Sequence, residues 1–243
     1  MNLADAKASA TFPGLAPAFL PFLPFLLMLG IAAPSCGGGS TIEGTSDGGT
    51  GGIDGSAEPI VETLTPEGEP LPGETECSVV MTTGIAVSPA VHLPFCTTVE
   101  YATNPPSGGD HWGQWAAFKE YSTALRRELY VHDMEHGAVV LAYRCETECP
   151  EVVQTLRDVV AEATSDPLCV QLGGPPARLI ITPDPLLDTP IAAAAWGATY
   201  TATCIDKASL AAFVAKAYGK GPENLCYDGK DPTNPSSGIP ACD

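Results

Sequence analysis

The segment VVLAYR, residues 139–144, largely decides the predicted fold, because it is a short run of β-branched and apolar residues that follows Gly137 closely. Such a run is typical of a buried strand. Downstream, Pro150 begins a predicted helix that extends to about Ala163, since proline suits a first helical turn and apolar residues recur at helical spacing. The middle of the chain therefore combines strand and helix.

The rest of the chain continues this mixture. ARLIITPD, residues 177–184, predicts a second strand, and the part of residues 192–203 after Gly197 predicts a third. The alanines before Gly197 leave helix and strand open, because alanine favours helix. Asp206 caps a last predicted helix, which Gly219 ends. We therefore predict one small α+β domain, with a mixed or antiparallel sheet and two main helices.

Residues 1–36 are predicted to be a lipoprotein signal peptide. Their apolar core, FLPFLPFLLMLGIAAPSC, is interrupted by prolines that disfavour a membrane-spanning helix. It ends in a sequence that resembles a lipobox, Ala33-Pro34-Ser35-Cys36, and GGGS follows. Cys36 would then be lipidated and hold the chain to the cell envelope, with the outer membrane as the expected location. The alternative is ordinary cleavage, with Cys36 as an unpaired thiol.

Charge and composition define the next segment and exclude some partners. The chain has a net charge of -18, which argues against nucleic acid as a partner, since phosphates require Lys and Arg. Residues 37–76 carry nine acidic residues and no Lys or Arg, and they are rich in Gly, Ser, Thr and Pro. This composition predicts a disordered tether. The globular domain is then expected to comprise residues 77–243.

Eight cysteines remain after Cys36, and an even number in an exported chain predicts disulfides. Their pairing does not follow from the sequence in general, because eight cysteines allow 105 arrangements. Short separations favour Cys145 with Cys149, Cys226 with Cys242, and Cys77 with Cys96, which leaves Cys169 with Cys204.

The heptapeptide VHDMEHG, residues 131–137, contains the most distinctive chemistry of the chain. On a strand, His132, Met134 and His136 would share one face, a set that suits copper. On a helical turn, His132, Glu135 and His136 would cluster instead, a set that suits zinc. All four histidines of the chain, including His92 and His111 upstream, fall within a short stretch. Metal binding is therefore the leading hypothesis, with a polar network or a metal-free catalytic site as alternatives.

The segment YATNPPSGGDHW, residues 101–112, adds a loop in which two prolines and two glycines precede His111. Together with His92 and ELYVHDMEHGAVVLAY, residues 128–143, it resembles the uncharacterised bacterial domain of unknown function 3105 over about residues 90–215. The resemblance implies that the four histidines and Glu135 belong together, with Asn104 and Glu128 beside them. It also disfavours Met134 as a ligand, because similar proteins often have leucine there.

The functional hypothesis is a lipid-anchored envelope protein that binds copper or zinc through His92, His111, His132, His136 and Glu135, with Met134 as a further candidate ligand for Cu(I). Binding is favoured over turnover. Two alternatives stay open: a metal-dependent hydrolase with Glu135 as base, and an interaction module in which the histidines only brace a turn.

The anchor hypothesis makes a direct prediction. Replacing Cys36 with Ser should release the protein from membranes, because the serine hydroxyl cannot take the thioether-linked lipid. Membrane fractionation of cells that express each form measures this. A wild-type protein that is already soluble, with an unmodified Cys36 thiol, would contradict the lipoprotein assignment.

Overall fold

The computed structural model describes residues 58–145 and 148–242. The predicted signal peptide, Cys36 and the first part of the tether lie outside these residues. No helix in the described part is long and apolar enough to cross a bilayer. In chain order, its elements are β1 (Ile60–Leu64), β2 (Val79–Thr83), β3 (His92–Leu93), β4 (His111–Trp112), α1 (Arg127–Glu135), β5 (Val139–Tyr143), α2 (Pro150–Glu162), α3 (Pro167–Gln171), β6 (Leu179–Pro183), β7 (Ile191–Ala195), β8 (Ala198–Ala202) and α4 (Lys207–Ala217).

Six strands form one mixed sheet in the order β1-β2-β8-β7-β5-β6. Only β5 and β6 are parallel; every other neighbouring pair is antiparallel. Strands β3 and β4 form a separate two-stranded parallel pair. The two longest helices, α2 and α4, pack against the same core. The predicted α+β class, with a mixed sheet, two main helices and disulfides, is confirmed.

Strand β5 lies inside the sheet and is buried on both faces, which explains its unbroken apolar sequence. Val139 and Leu141 belong to the core formed with α2 and α4. Val140 belongs to a second core, which lies around α1. The sheet therefore separates two apolar cores, and the second one supports the histidine motif. The predicted strands at residues 139–144 and 177–184 and both predicted helices are confirmed.

The alanine-rich segment is a strand throughout. Ile191–Ala195 forms β7 and turns directly into β8, so the part that the sequence left open is also extended. Gly197 has a φ of 70°, which suits the second position of this tight turn. Pairing with β5 on one side and β8 on the other outweighs the helix propensity of alanine.

The folded part begins earlier than the composition suggests. β1 lies within the predicted tether and pairs with β2 over its whole length. Leu71 then donates a backbone hydrogen bond to the Thr203 carbonyl at 2.8 Å. The prediction that disorder extends to residue 76 is therefore wrong for this part. Backbone pairing with β2 accounts for the difference, because it satisfies polar groups of β1 at the edge of the sheet although the side chains of β1 are largely exposed.

All eight cysteines after Cys36 form disulfides, as predicted. The expected pairing is right for Cys145–Cys149 and wrong for the others. The error follows from favouring short separations, since chain ends that are distant in sequence meet in the folded domain. The remaining bonds are Cys77–Cys204, Cys96–Cys242 and Cys169–Cys226, with sequence separations of 127, 146 and 57 residues.

Helix α1 contains most of the VHDMEHG motif, so the motif is helical. Seven of its nine residues are buried, although several of them are polar. Gly137 follows the helix with a φ of 87° and donates a hydrogen bond from its backbone to the Met134 carbonyl at 2.9 Å. A Cβ at Gly137 would lie 3.0 Å from both Arg178 Nη1 and Gly219 Cα. The glycine therefore lets the chain leave the helix beneath the C-terminal segment.

Asp133 is the most deeply buried carboxyl group of α1. One of its oxygens accepts a hydrogen bond from the Ala116 backbone at 3.1 Å, and the other oxygen has no partner. Burial raises the pKa of the Asp133 carboxyl well above its usual range. The folded protein therefore holds a proton that the unfolded chain releases above about pH 4.

The free energy of unfolding should consequently decrease as the pH rises above about 4, by up to about 1.4 kcal/mol per pH unit for this group. An Asp133→Asn variant cannot ionise, so it should lack this contribution. Denaturant unfolding of both proteins between pH 4 and 8 measures the difference. Asp188→Asn, at an exposed position, is the control. If the free energy of unfolding had the same pH dependence in Asp133→Asn and in wild type, the Asp133 carboxyl would not be protonated in the folded protein.

Candidate metal centre

Two of the four histidines are placed by the pairing of β3 with β4. In this register His92 lies directly opposite His111. The backbone of His111 donates to the Val91 carbonyl at 3.2 Å. Asp110 strengthens the pairing, because its Oδ1 accepts a hydrogen bond from the Val91 backbone at 2.9 Å. Asp110 therefore helps to hold β3 against β4, so that His92 and His111 stay side by side.

The other two site residues project from α1. His132 and Glu135 are three residues apart, which places them on the same side of the helix. Arg127, at the start of α1, orients the helix by donating to Asn104 Oδ1 at 2.8 Å and to Asp184 Oδ2 at 2.9 Å. Because Asn104 belongs to the loop that leads to His111, this contact ties the helix to the histidine-bearing strand.

Glu135 lies at the centre of the group. Its Oε2 is 3.1 Å from His111 Nε2, 3.4 Å from His92 Nε2 and 4.0 Å from His132 Nε2. One donor atom from each of the four residues lies within 4.8 Å of the others. Three segments that are distant in sequence thus converge on one carboxylate oxygen, and the arrangement could hold a metal ion.

The backbone determines how two of the rings are oriented. His111 Nδ1 lies 2.8 Å from the Gly109 carbonyl oxygen, and His132 Nδ1 lies 2.7 Å from that of Trp112. A carbonyl oxygen only accepts hydrogen bonds, so Nδ1 carries the hydrogen in each ring. In the neutral ring Nε2 is then an unprotonated donor of an electron pair. Metal-binding histidines commonly have this arrangement.

Burial keeps His132 in the neutral form. It is 3% exposed, and this burial lowers the pKa of its imidazole to about 3. At neutral pH no proton therefore separates its Nε2 from the Glu135 carboxylate. The unprotonated Nε2 is therefore free to bind a cation, and the group could hold a metal ion.

His136 faces a second acidic group. It follows α1, and its ring centroid is 4.7 Å from that of His132. Its Nε2 lies 3.4 Å from Glu223 Oε2, whereas its Nδ1 is buried without a hydrogen-bond partner. Burial lowers the pKa of His136 to about 4. Glu135, His136 and Glu223 form a second group whose donor atoms lie within 4.8 Å of one another.

The structure corrects several expectations about individual residues. Met134 is not a ligand candidate, because it is fully buried in the apolar core on another side of α1. In the described residues, no hydrogen bond joins Asn104 or Glu128 to an imidazole. Asn104 contacts Arg127 and the Leu186 carbonyl, and Glu128 accepts a hydrogen bond from the Val99 backbone at 3.2 Å. Both side chains thus support the loops around the site.

One contributor to the site, Glu223, was not anticipated from the sequence. Glu223 lies in the turn-rich C-terminal segment, where nothing in its neighbours distinguishes it from a surface residue. Trp115 packs its ring 5.2 Å from that of His132 and 4.6 Å from that of His136, between centroids. Its Nε1 donates to the Tyr227 carbonyl at 3.0 Å. The tryptophan therefore shields the buried imidazoles and also holds the C-terminal segment close to them.

Comparison with known proteins places the chain in a family. A family model described as "Protein of unknown function (DUF3105)" matches residues 92–228, more than half of the chain. The match extends past the expected limit of residue 215 and includes Glu223. No curated protein and no solved structure gave a significant match. The paired histidine strands and the His-Glu helix lie within the matched region, and the chain belongs to the domain of unknown function 3105 family.

Proposed function

We propose that this protein binds a divalent transition-metal ion, zinc or copper(II), through His92, His111, His132 and Glu135. The observation that carries the proposal is the convergence of three imidazole Nε2 atoms on Glu135 Oε2. Donor atoms that bind a tetrahedral zinc ion at about 2.0–2.1 Å are about 3.3 Å apart. The distances of 3.1, 3.4 and 4.0 Å from Glu135 Oε2 are close to this separation. Small side-chain movements would complete the coordination.

The donor atoms favour particular metals. Three imidazoles and one carboxylate suit zinc and copper(II), whereas copper(I) prefers thiolate or thioether ligands. The thioether of Met134 is in the core, and the eight cysteines of the described part are all in disulfides. Zinc is therefore our first candidate and copper(II) the second.

The role of the ion depends on whether all four ligands bind it at once. His111 and His132 are buried, but the side chain of His92 is 53% exposed. Four simultaneous ligands would make a closed centre, suited to metal binding or delivery. If water replaced His92, the open position would suit a metal-dependent hydrolase. Glu135 would act in either case as a ligand, since its Oε2 lies among the imidazole nitrogens. We favour binding.

The cell envelope is the proposed location. Four disulfides in a domain of this size support an oxidising compartment. Together with the predicted lipid at Cys36, they support a protein held at a membrane, with the outer membrane as the preferred site. The lipid chain would insert into the membrane, and the folded domain would bind the ion outside the bilayer.

The proposal predicts the effect of single substitutions on metal affinity. Glu135→Gln, His111→Ala and His132→Ala should each weaken zinc binding by at least about 100-fold, because even changes beside metal ligands cost about 10–100-fold. Competition titration with a chromogenic chelator measures the affinity, with copper(II), iron(II) and manganese(II) as further ions. Glu128→Gln is the matched control, since Glu128 is the other glutamate of α1 and accepts a hydrogen bond from the Val99 backbone.

Two results would reject the proposal. If wild type bound none of the ions more tightly than a His132→Ala, His111→Ala double variant, the histidines would form a structural network or an interaction module. If Glu128→Gln weakened binding as much as Glu135→Gln, the effect would be general destabilisation. Circular dichroism of each variant establishes that it is folded.

A further inference from the structure

The second acidic group, Glu135, His136 and Glu223, adjoins the proposed ion and shares Glu135 with it. We infer that the protein holds a second divalent cation there, so that Glu135 bridges two ions. His92, His111 and His132 would bind the first ion, and His136 and Glu223 the second. This inference rests on the proposed function, because the bridging carboxylate must already bind the first ion. It deepens that function from a mononuclear to a dinuclear centre.

The position of Glu223 is fixed by the backbone. Its N–H donates to the Glu135 carbonyl at 3.0 Å, and Gly219 donates in the same way to the Gly137 carbonyl at 2.9 Å. Between them, a Cβ at Gly221 would lie 2.2 Å from the Glu135 carbonyl oxygen. Only glycine allows the chain to pass so closely over the end of α1. The approach places the Glu223 carboxylate beside His136. Glu223 Oε2 lies 3.4 Å from His136 Nε2.

The charges around this group favour a cation. In the described part of the chain, no Lys or Arg lies within salt-bridge distance of Glu135 or Glu223. The group also lies at the C-terminal end of α1, where the helix dipole is negative. Arg178 is near, but its guanidinium donates to the His136 carbonyl and pairs with Asp166. Within the described residues, histidines are therefore the only nitrogen bases within salt-bridge distance of these two carboxylates.

His136 supplies a second, independent indication. It is 2% exposed, and its Nδ1 has no hydrogen-bond partner. A buried imidazole normally has a partner for both nitrogens. A cation at this site would bind Nε2, the nitrogen that lies 3.4 Å from Glu223 Oε2, and so give this buried ring a partner. The side chain of Glu223, by contrast, is 49% exposed, so the second ion would keep positions open to water.

An open second ion changes what the centre can do. Carboxylate-bridged ions about 3.5–4 Å apart can hold both the attacking and the departing oxygen of a displacement. The second ion would therefore provide the open position for the hydrolase alternative, even where His92 stays bound to the first ion.

The test counts ions in the full-length protein. Metal-free protein is reloaded with zinc, and native mass spectrometry and elemental analysis give the number of ions per chain. Wild type should bind two. Glu223→Gln should bind one, because it keeps the shape of the side chain but loses the charge. Glu151→Gln, at an exposed glutamate on α2, is the matched control and should bind two.

A spectroscopic measurement locates the ions relative to each other. With copper(II), wild type should give the broadened electron paramagnetic resonance spectrum of two ions about 3.5–4 Å apart. Glu223→Gln should give the spectrum of one isolated ion. His92→Ala changes an exposed ligand of the first site, so the variant should fold. It should weaken binding of the first ion and leave Glu223 as a ligand of the second ion.

The outcomes separate the two proposals. One ion per chain in both wild type and Glu223→Gln would overturn the dinuclear centre and leave the proposed function intact. Two ions that are both retained in Glu223→Gln would overturn the assignment of the second site. No ion in wild type would reject both proposals. A single ion that is lost in Glu223→Gln but kept in His132→Ala would also reject both, because the ion would lie only at the helix end.

Discussion

The burial of α1 is the constraint on which the rest of the molecule depends. The helix is short, it has no side-chain hydrogen bond at its N-terminal cap, and seven of its nine residues are out of solvent. Polar groups in such a position are costly unless each has a partner. Arg127 is therefore paired with Asp184, and one oxygen of Asp133 binds the Ala116 backbone. Surrounding loops and the C-terminal segment are arranged to supply these partners.

The histidine group follows from the same arrangement. Because α1 is enclosed, the Nδ1 atom of His132 reaches the Trp112 carbonyl, which belongs to the strand that carries His111. The Gly109 carbonyl, just before this strand, orients the ring of His111 in the same way. The result is a set of nitrogen and oxygen donor atoms that could hold a metal ion. If an ion binds there as proposed, metal binding and folding are expected to stabilise each other.

The sequence predicted the elements with strong periodicity and missed those determined by distant contacts. The apolar run of β5 and the proline-initiated α2 were recognisable from local sequence. The helix of VHDMEHG was not, because its residues are buried on all sides and show no amphipathic spacing. Three of the four disulfide bonds join residues at least 57 positions apart, which no argument from spacing identifies.

The candidate site shows the same division. His92, His111, His132 and Glu135 were identified as belonging together from motif composition and the family resemblance. Their grouping around Glu135, with His136 directed instead to Glu223, depends on where α1 ends and on how the C-terminal segment returns. Met134 was a candidate ligand because its thioether would suit a soft metal ion on a strand beside His132 and His136. The motif is helical instead, and the side chain of Met134 lies in the apolar core.

X-ray absorption spectroscopy of protein purified from its native cells would establish whether the histidine group binds a metal ion. At the zinc or copper edge, the account predicts a first shell of nitrogen and oxygen donors at about 2.0–2.1 Å, with the outer-shell scattering of imidazole rings. Replacement of His132 should remove part of that imidazole scattering. Protein that carries no metal, or a metal whose spectrum lacks imidazole, would contradict the account.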